Sequence, residues 1–130
     1  VQDTDAAGGF GRAIPILRIT SVEDAYDFYV GVLGFQVDWE HNFEPGLPLY
    51  AQLSRSGLVV HLSEHAGDGT PGAAVWIAVE DVRSIRDEFL ERIGDDGSIG
   101  EIDKDAPGGP TFEAVDPFEN QLRFAEAAPA

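Results

Sequence analysis

The chain repeats itself, and that limits its possible folds more than any other feature. Residues 19–34, ITSVEDAYDFYVGVLG, lie over residues 79–94, VEDVRSIRDEFLERIG, at a constant offset of 60. Leu17/Ile77, Ile19/Val79, Val22/Val82, Tyr29/Phe89, Val30/Leu90, Leu33/Ile93 and Gly34/Gly94 match in type. The spacing of Val22, Tyr29, Val30 and Leu33 is that of one helix face, and each glycine suits a helix C-cap. A second match, VVHLSE at 59–64 over QLRFAE at 121–126, has an offset of 62 and the alternation of a strand. A repeat of this size means two copies of one supersecondary unit sharing a core.

The copies span about 13–66 and 73–127, joined by the turn-rich AGDGTPG of 66–72. We expect strands at 13–19, 36–43, 48–54, 58–64, 73–79, 98–103, 111–115 and 120–126, with helices at 22–33 and 82–93. That is an α+β chain, and 130 residues suffice for a single domain over 1–130.

Side chains two apart on a strand share a face. Leu17, Ile19, Ile77 and Val79 then pack under the helices, with Val60, Leu62, Leu122 and Phe124. The opposite face carries Ile14, Ile16 and Arg18; Val59, His61 and Ser63; Ala74, Trp76 and Ala78; and Gln121, Arg123 and Ala125. Such a mixed lining suits a ligand cleft better than a dry core.

Twenty-four acidic residues against eight basic ones give a net charge of -16. That field repels phosphate backbones, so nucleic acid is not expected as a partner, whereas a cationic ligand is attracted. The same acidity also serves solubility. With no cysteine, any metal would need histidine and carboxylate ligands. No apolar run approaches the roughly 18 residues of a membrane span and no secretory pattern opens the chain, so no membrane contact and a cytoplasmic location are expected.

Taken in order, AIPILRITSVEDAYDFYVGVLGF at 13–35, VWIAVEDVRSIRDEF at 75–89 and FEAVDPFENQLRF at 112–124 resemble the glyoxalase, bleomycin-resistance and extradiol-dioxygenase superfamily, also called vicinal oxygen chelate. Pro15, DFYVGVLGF, and Asp116, Pro117, Asn120 and Phe124 look most like the bleomycin-resistance type. The resemblance implies two βαβββ modules forming a cup-shaped mixed sheet, helices on its outer face, completed by a homodimer. It also implies that the segment before Pro15 exchanges between subunits.

In metal-dependent members of that superfamily the ligands come from the first and last strand of each module. By motif those positions are Ile14, His61, Ala74 and Arg123, of which only His61 can bind a metal. A catalytic zinc or iron generally needs three protein ligands, so neither metal nor other cofactor is expected. His65 would lie about 13 Å along the strand from His61, and Glu64 would point to the opposite face. His41, on a neighbouring loop, is the remaining candidate donor.

No Ser-His-Asp order stands out, and GGFG at 8–11 follows no strand. His61 as general base with Arg123 stabilising an oxyanion would be possible chemistry, but no partner is legible and no catalytic residue is assigned. A lyase, isomerase or dioxygenase acting on a small metabolite stands as the alternative to binding.

Non-enzymatic members sequester antibiotics, so the resemblance implies a small-molecule ligand, with a cationic glycopeptide antibiotic as the type. His61 and Arg123 would form a polar floor. Trp76 would stand as a wall, joined by Tyr50 and Phe112, which match at the offset of 62. Trp39 and Phe43 suit either ligand contact or a dimer seam. Glu40, Glu44 and Glu113 would attract a cationic tail. Two departures from the family's pattern lie beside this cleft: DPFEN at 116–120 replaces a glycine-containing turn, and APGGP at 106–110 lacks a Trp-Gly pair.

Overall fold

Ser21 and Asp81, at equivalent places in the repeat, open the two helices. Each side chain accepts a hydrogen bond from a backbone N–H three residues on, Asp24 and Ser84, satisfying a donor the helix itself leaves unpaired. The computed structural model describes residues 8–42, 44–46 and 48–127. The first module comprises β1 (Ile16–Arg18), α1 (Val22–Tyr29), β2 (Gln36–His41), β3 (Tyr50–Arg55) and β4 (Leu58–Ser63). The second comprises β5 (Ala74–Val79), α2 (Val82–Ile93), β6 (Thr111–Val115) and β7 (Gln121–Glu126).

The helix expected at 82–93 forms over that span and ends on Gly94, whose φ of 78° lets its N–H reach the Leu90 carbonyl. The helix expected at 22–33 stops at Tyr29. Its cap is Val30, and residues 31–33 continue as turns with N–H bonds to Tyr26 and Phe28. Val30, Gly31 and Val32 are three weak helix formers in a row, so the shorter helix follows from their propensities.

The strands form two mixed sheets, ordered β1-β4-β3-β2 and β5-β7-β6. In each, first and last strand pair in parallel and the others pair antiparallel. The strand expected at 98–103 is not formed. Isolated bridges, Ile99 to Ala114 and Asp103 to Thr111, hold that segment along β6, with Gly100 between them. Glycine interrupts strand pairing, since it adds no side chain to the ladder and loses more backbone entropy. The architecture is α+β and fits two βαβββ modules, the second with one strand reduced to bridges.

Leu17, Ile19, Val60, Leu62, Leu122 and Phe124 are buried, as alternation requires. They belong to one apolar cluster drawn from both modules. A buried polar knot also joins the modules. The Tyr29 hydroxyl donates to Asp116 at 2.7 Å, and Asn120 bonds the same carboxylate at 2.9 Å. Asn120 then donates to the Arg18 carbonyl at 3.1 Å and accepts from the Ala73 N–H at 3.2 Å. On the far side Arg55 forks onto Glu88 at 2.8 and 2.9 Å, and Arg92 meets the same carboxylate at 2.7 Å.

Candidate functional site

The face of each sheet turned away from the core is partly open, with Val59, Ser63 and Ala125 buried on it, and on the first module it carries a connected set of side chains. β3 supplies Tyr50, Gln52 and Ser54, which lie opposite Ser63, His61 and Val59 of β4. β2 supplies two consecutive residues, Asp38 and Trp39, to the same face. Strand residues normally alternate, and a register shift between Val37 and Trp39 breaks the alternation here. Asp38 bonds Gln52 and Ser54, while Trp39 stacks on Tyr50 with ring centroids 6.1 Å apart and planes 12° from parallel.

His61 sits edge-on to both rings, 5.4 Å from Trp39 and 5.1 Å from Tyr50. Its Nδ1 lies 2.7 Å from the Tyr50 hydroxyl and its Nε2 lies 3.0 Å from the Gln52 carbonyl oxygen. Burial lowers the imidazole pKa from the ordinary 6.5, because a charged ring loses hydration there. Hydrogen bonds from Gln52, then Ser54, then Gln36 hold the Asp38 carboxyl below its ordinary range.

Beside this set is a shallow depression of about 380 Å³ lined by Trp39, His41, Tyr50, His65 and Asp68. His65 was expected to lie out of reach along the strand. β4 ends at Ser63, and the chain then turns, bringing His65 back within 6.5 Å of Tyr50, centroid to centroid. The Ser63 hydroxyl, accepting from the His65 N–H at 3.1 Å and donating to Asp68 at 2.9 Å, fixes that turn.

The open face of the second module carries Trp76, Glu113 and Arg123. Arg123 pairs with Glu113 at 3.1 Å and donates to Gln121 at 3.1 Å. Trp76 is half exposed, at 51%. Gly108, from the APGGP loop, lies against its indole: a Cβ there would stand 3.4 Å from the ring. Glycine backbone thus borders Trp76.

Some expected neighbours are not brought together. His61 and Arg123 lie in different sheets and, among the described residues, no hydrogen bond joins them. Phe43 lies outside the described residues. Phe112 is a core residue, 1% exposed, packed on Phe89 and Phe124 at 6.0 and 5.2 Å.

The cause is one extra turn residue. Arg55 pairs with Leu58 across Ser56 and Gly57, whereas Asp116 meets Asn120 across three residues. The offset is therefore 61 on β6, so Tyr50 corresponds to Thr111, opposite Ala125, and Phe112 corresponds to the buried Ala51. An odd slip turns a side chain to the other face.

Of the four positions compared with metal-dependent relatives, Ile14, Ala74 and Arg123 offer no metal ligand, and their strand neighbours add none. Ile16 lies opposite His61 and Trp76 opposite Arg123, whereas Ile14 precedes β1 and Ala74 lies opposite Gln121. Isoleucine, tryptophan and arginine supply no metal ligand, and both His61 nitrogens are already engaged. Among the described residues no three histidine or carboxylate side chains converge as a metal would require. The donor set does not fit a catalytic metal.

Sequence reasoning missed Asp38, Gln52 and Asp68, and it set His65 apart from this face. Gln52 was within reach of that reasoning, two residues from Tyr50 on one strand. Asp38 was not, because only the bulge turns it to this face.

A family described as glyoxalase superfamily protein matches residues 2–129. No curated protein matches the chain. Among solved structures, the bleomycin-binding protein from bleomycin-producing Streptomyces verticillus, complexed with copper(II)-bleomycin, is 25% identical, with a TM-score of 0.71 over 92% of this chain and 98% of that one. A bleomycin-binding protein complexed with bleomycin has a TM-score of 0.73 at 19% identity, covering 92% of this chain and 100% of its own. An antibiotic binding protein from Streptomyces sp. CB03234 has a TM-score of 0.71 at 18% identity, covering 92% and 98%.

Proposed function

The chain belongs to the glyoxalase superfamily, and within it we propose a metal-independent binding protein that sequesters a small molecule of the bleomycin type. The supporting observation is the stacked Trp39 and Tyr50 beside a neutral His61 on an open sheet face. Flat aromatic faces at this spacing bind planar heterocycles by stacking and attract cations through their ring electrons. The likeness to a protein holding copper(II)-bleomycin adds weight at 25% identity.

The ligand set is His61, Tyr50 and Trp39 on one sheet and Trp76, Arg123 and Glu113 on the other. A homodimer would set the first face of one copy against the second face of its partner, closing a cleft that each chain leaves open. Ile16, Trp39 and Trp76, 42%, 43% and 51% exposed, are the apolar residues such an arrangement would cover. The N-terminal arm, with Phe10 fully exposed, would cross to the partner. The charge of -16 would draw a cationic glycopeptide toward this surface.

Titration calorimetry with metal-free and copper-loaded bleomycin tests this directly. Saturable heat at one ligand per chain is expected, and none at about 100 μM protein, well above a micromolar dissociation constant, would remove that drug. Elemental analysis of untreated protein tests the alternative of a lyase, isomerase or dioxygenase. Stoichiometric zinc, iron, nickel or manganese would overturn metal independence.

A further inference from the structure

The hydrogen bonds around His61 have a fixed direction. At neutral pH the Asp38 carboxylate can only accept, so Gln52 turns its NH₂ toward it, 3.1 Å away. The planar amide then presents its oxygen to His61 Nε2 at 3.0 Å, and that oxygen can only accept. His61 therefore carries its proton on Nε2 and leaves Nδ1 bare. The Tyr50 hydroxyl, 2.7 Å from Nδ1, turns its one proton inward. What Tyr50 offers to the depression it lines is lone pairs. Asp68, on the same depression, adds a carboxylate.

We propose that Gln52, oriented by Asp38, is a specificity-determining positioning residue: through His61 it makes Tyr50 an acceptor and so selects organic cations bearing N–H donors, of the amidinium or guanidinium class. The bulge at Asp38 serves this directly, because it places the carboxylate over Gln52 while leaving Trp39 to stack on Tyr50. The chain of donors runs Tyr50, His61, Gln52, Asp38, and with a neutral imidazole reversing any link would require Asp38 to donate. A carboxylate ligand would meet Tyr50 lone pair to lone pair.

This specificity rests on the small-molecule reading and fails separately from it. Long-range proton–nitrogen spectra of the wild type at pH 7.5 report the His61 tautomer with no ligand present. Protonated Nε2 is expected, and protonated Nδ1 would overturn the proposal. Tryptophan fluorescence then compares benzamidinium with benzoate in the wild type, Gln52→Leu and Tyr50→Phe.

Both substitutions leave the net charge unchanged, so a general preference for cations stays constant. The ratio of benzamidinium to benzoate affinity is expected to fall about tenfold in each, the size of one charge-assisted hydrogen bond. An unchanged ratio in both variants, or no benzamidinium binding by the wild type, would sink it. Bleomycin heat without benzamidinium preference keeps the drug reading and removes this one; the reverse result removes the drug and keeps the subsite.

Discussion

Burial beside Tyr50 and Trp39 places the His61 pKa below 6.5, and the direction of that shift sets a pH dependence. An unfolded chain takes up the imidazole proton near 6.5, while the folded one resists until lower pH. Between those two values the unfolded state binds more protons, so stability falls as pH drops through about 6.5 and levels off below the folded pKa. The groups facing the ring are Tyr50, Gln52 and Trp39, with Asp38 behind Gln52. Proton–nitrogen titration of His61 should give a midpoint under 6.5. A midpoint above it would mean that Asp38 outweighs burial. Tyr29 makes the companion case in the core: burial, then the Asp116 charge, pushes its phenol well above 10. Tyr29→Phe leaves Asp116 one donor short, and urea denaturation should register a loss of about 1–3 kcal/mol.

At the scale of elements, the repeat made the helices and most strands legible because periods of 3.6 and 2 survive in sequence. Asp81 and Gly94 bound the second helix, and Leu17, Val60, Leu122 and Phe124 could be placed in the core by alternation. The site was less legible, since its membership depends on single-residue irregularities. A bulge brings Asp38 to the open face, one added residue in the 117–119 turn removes Phe112 from it, and the bend after Ser63 returns His65 to it. Composition and spacing look alike with or without each of these. The slip on β6 has a measurable consequence: Phe112→Ala should behave as a core truncation. A cost of about 3–5 kcal/mol in urea denaturation is expected. Under conditions where the variant stays folded, ligand affinity should remain within about threefold, because no atom of Phe112 reaches the open face. A stable variant that has lost binding would restore Phe112 to the cleft.

Across the whole molecule, apolar residues on both open faces coexist with a charge of -16. Association of two copies would bury Trp39, Trp76 and Ile16, yet it also brings together two strongly negative chains. The balance depends on ionic strength, because the Debye length shrinks from about 30 Å at 0.01 M salt to about 8 Å at 0.15 M. Apolar burial is not weakened by that change, whereas the repulsion is. Sedimentation equilibrium should therefore give a mass of twice 14.0 kDa, with a dimer dissociation constant that tightens at least tenfold between those salt concentrations. Trp76→Glu removes apolar area and adds a negative charge at the same seam, so it should yield monomer at micromolar concentration even in 0.15 M salt. Loss of bleomycin heat should accompany it, since in the proposed dimer each cleft would draw on both copies. A monomeric variant that still binds with full affinity would place the whole ligand site on one chain, at the Trp39 and Tyr50 face alone.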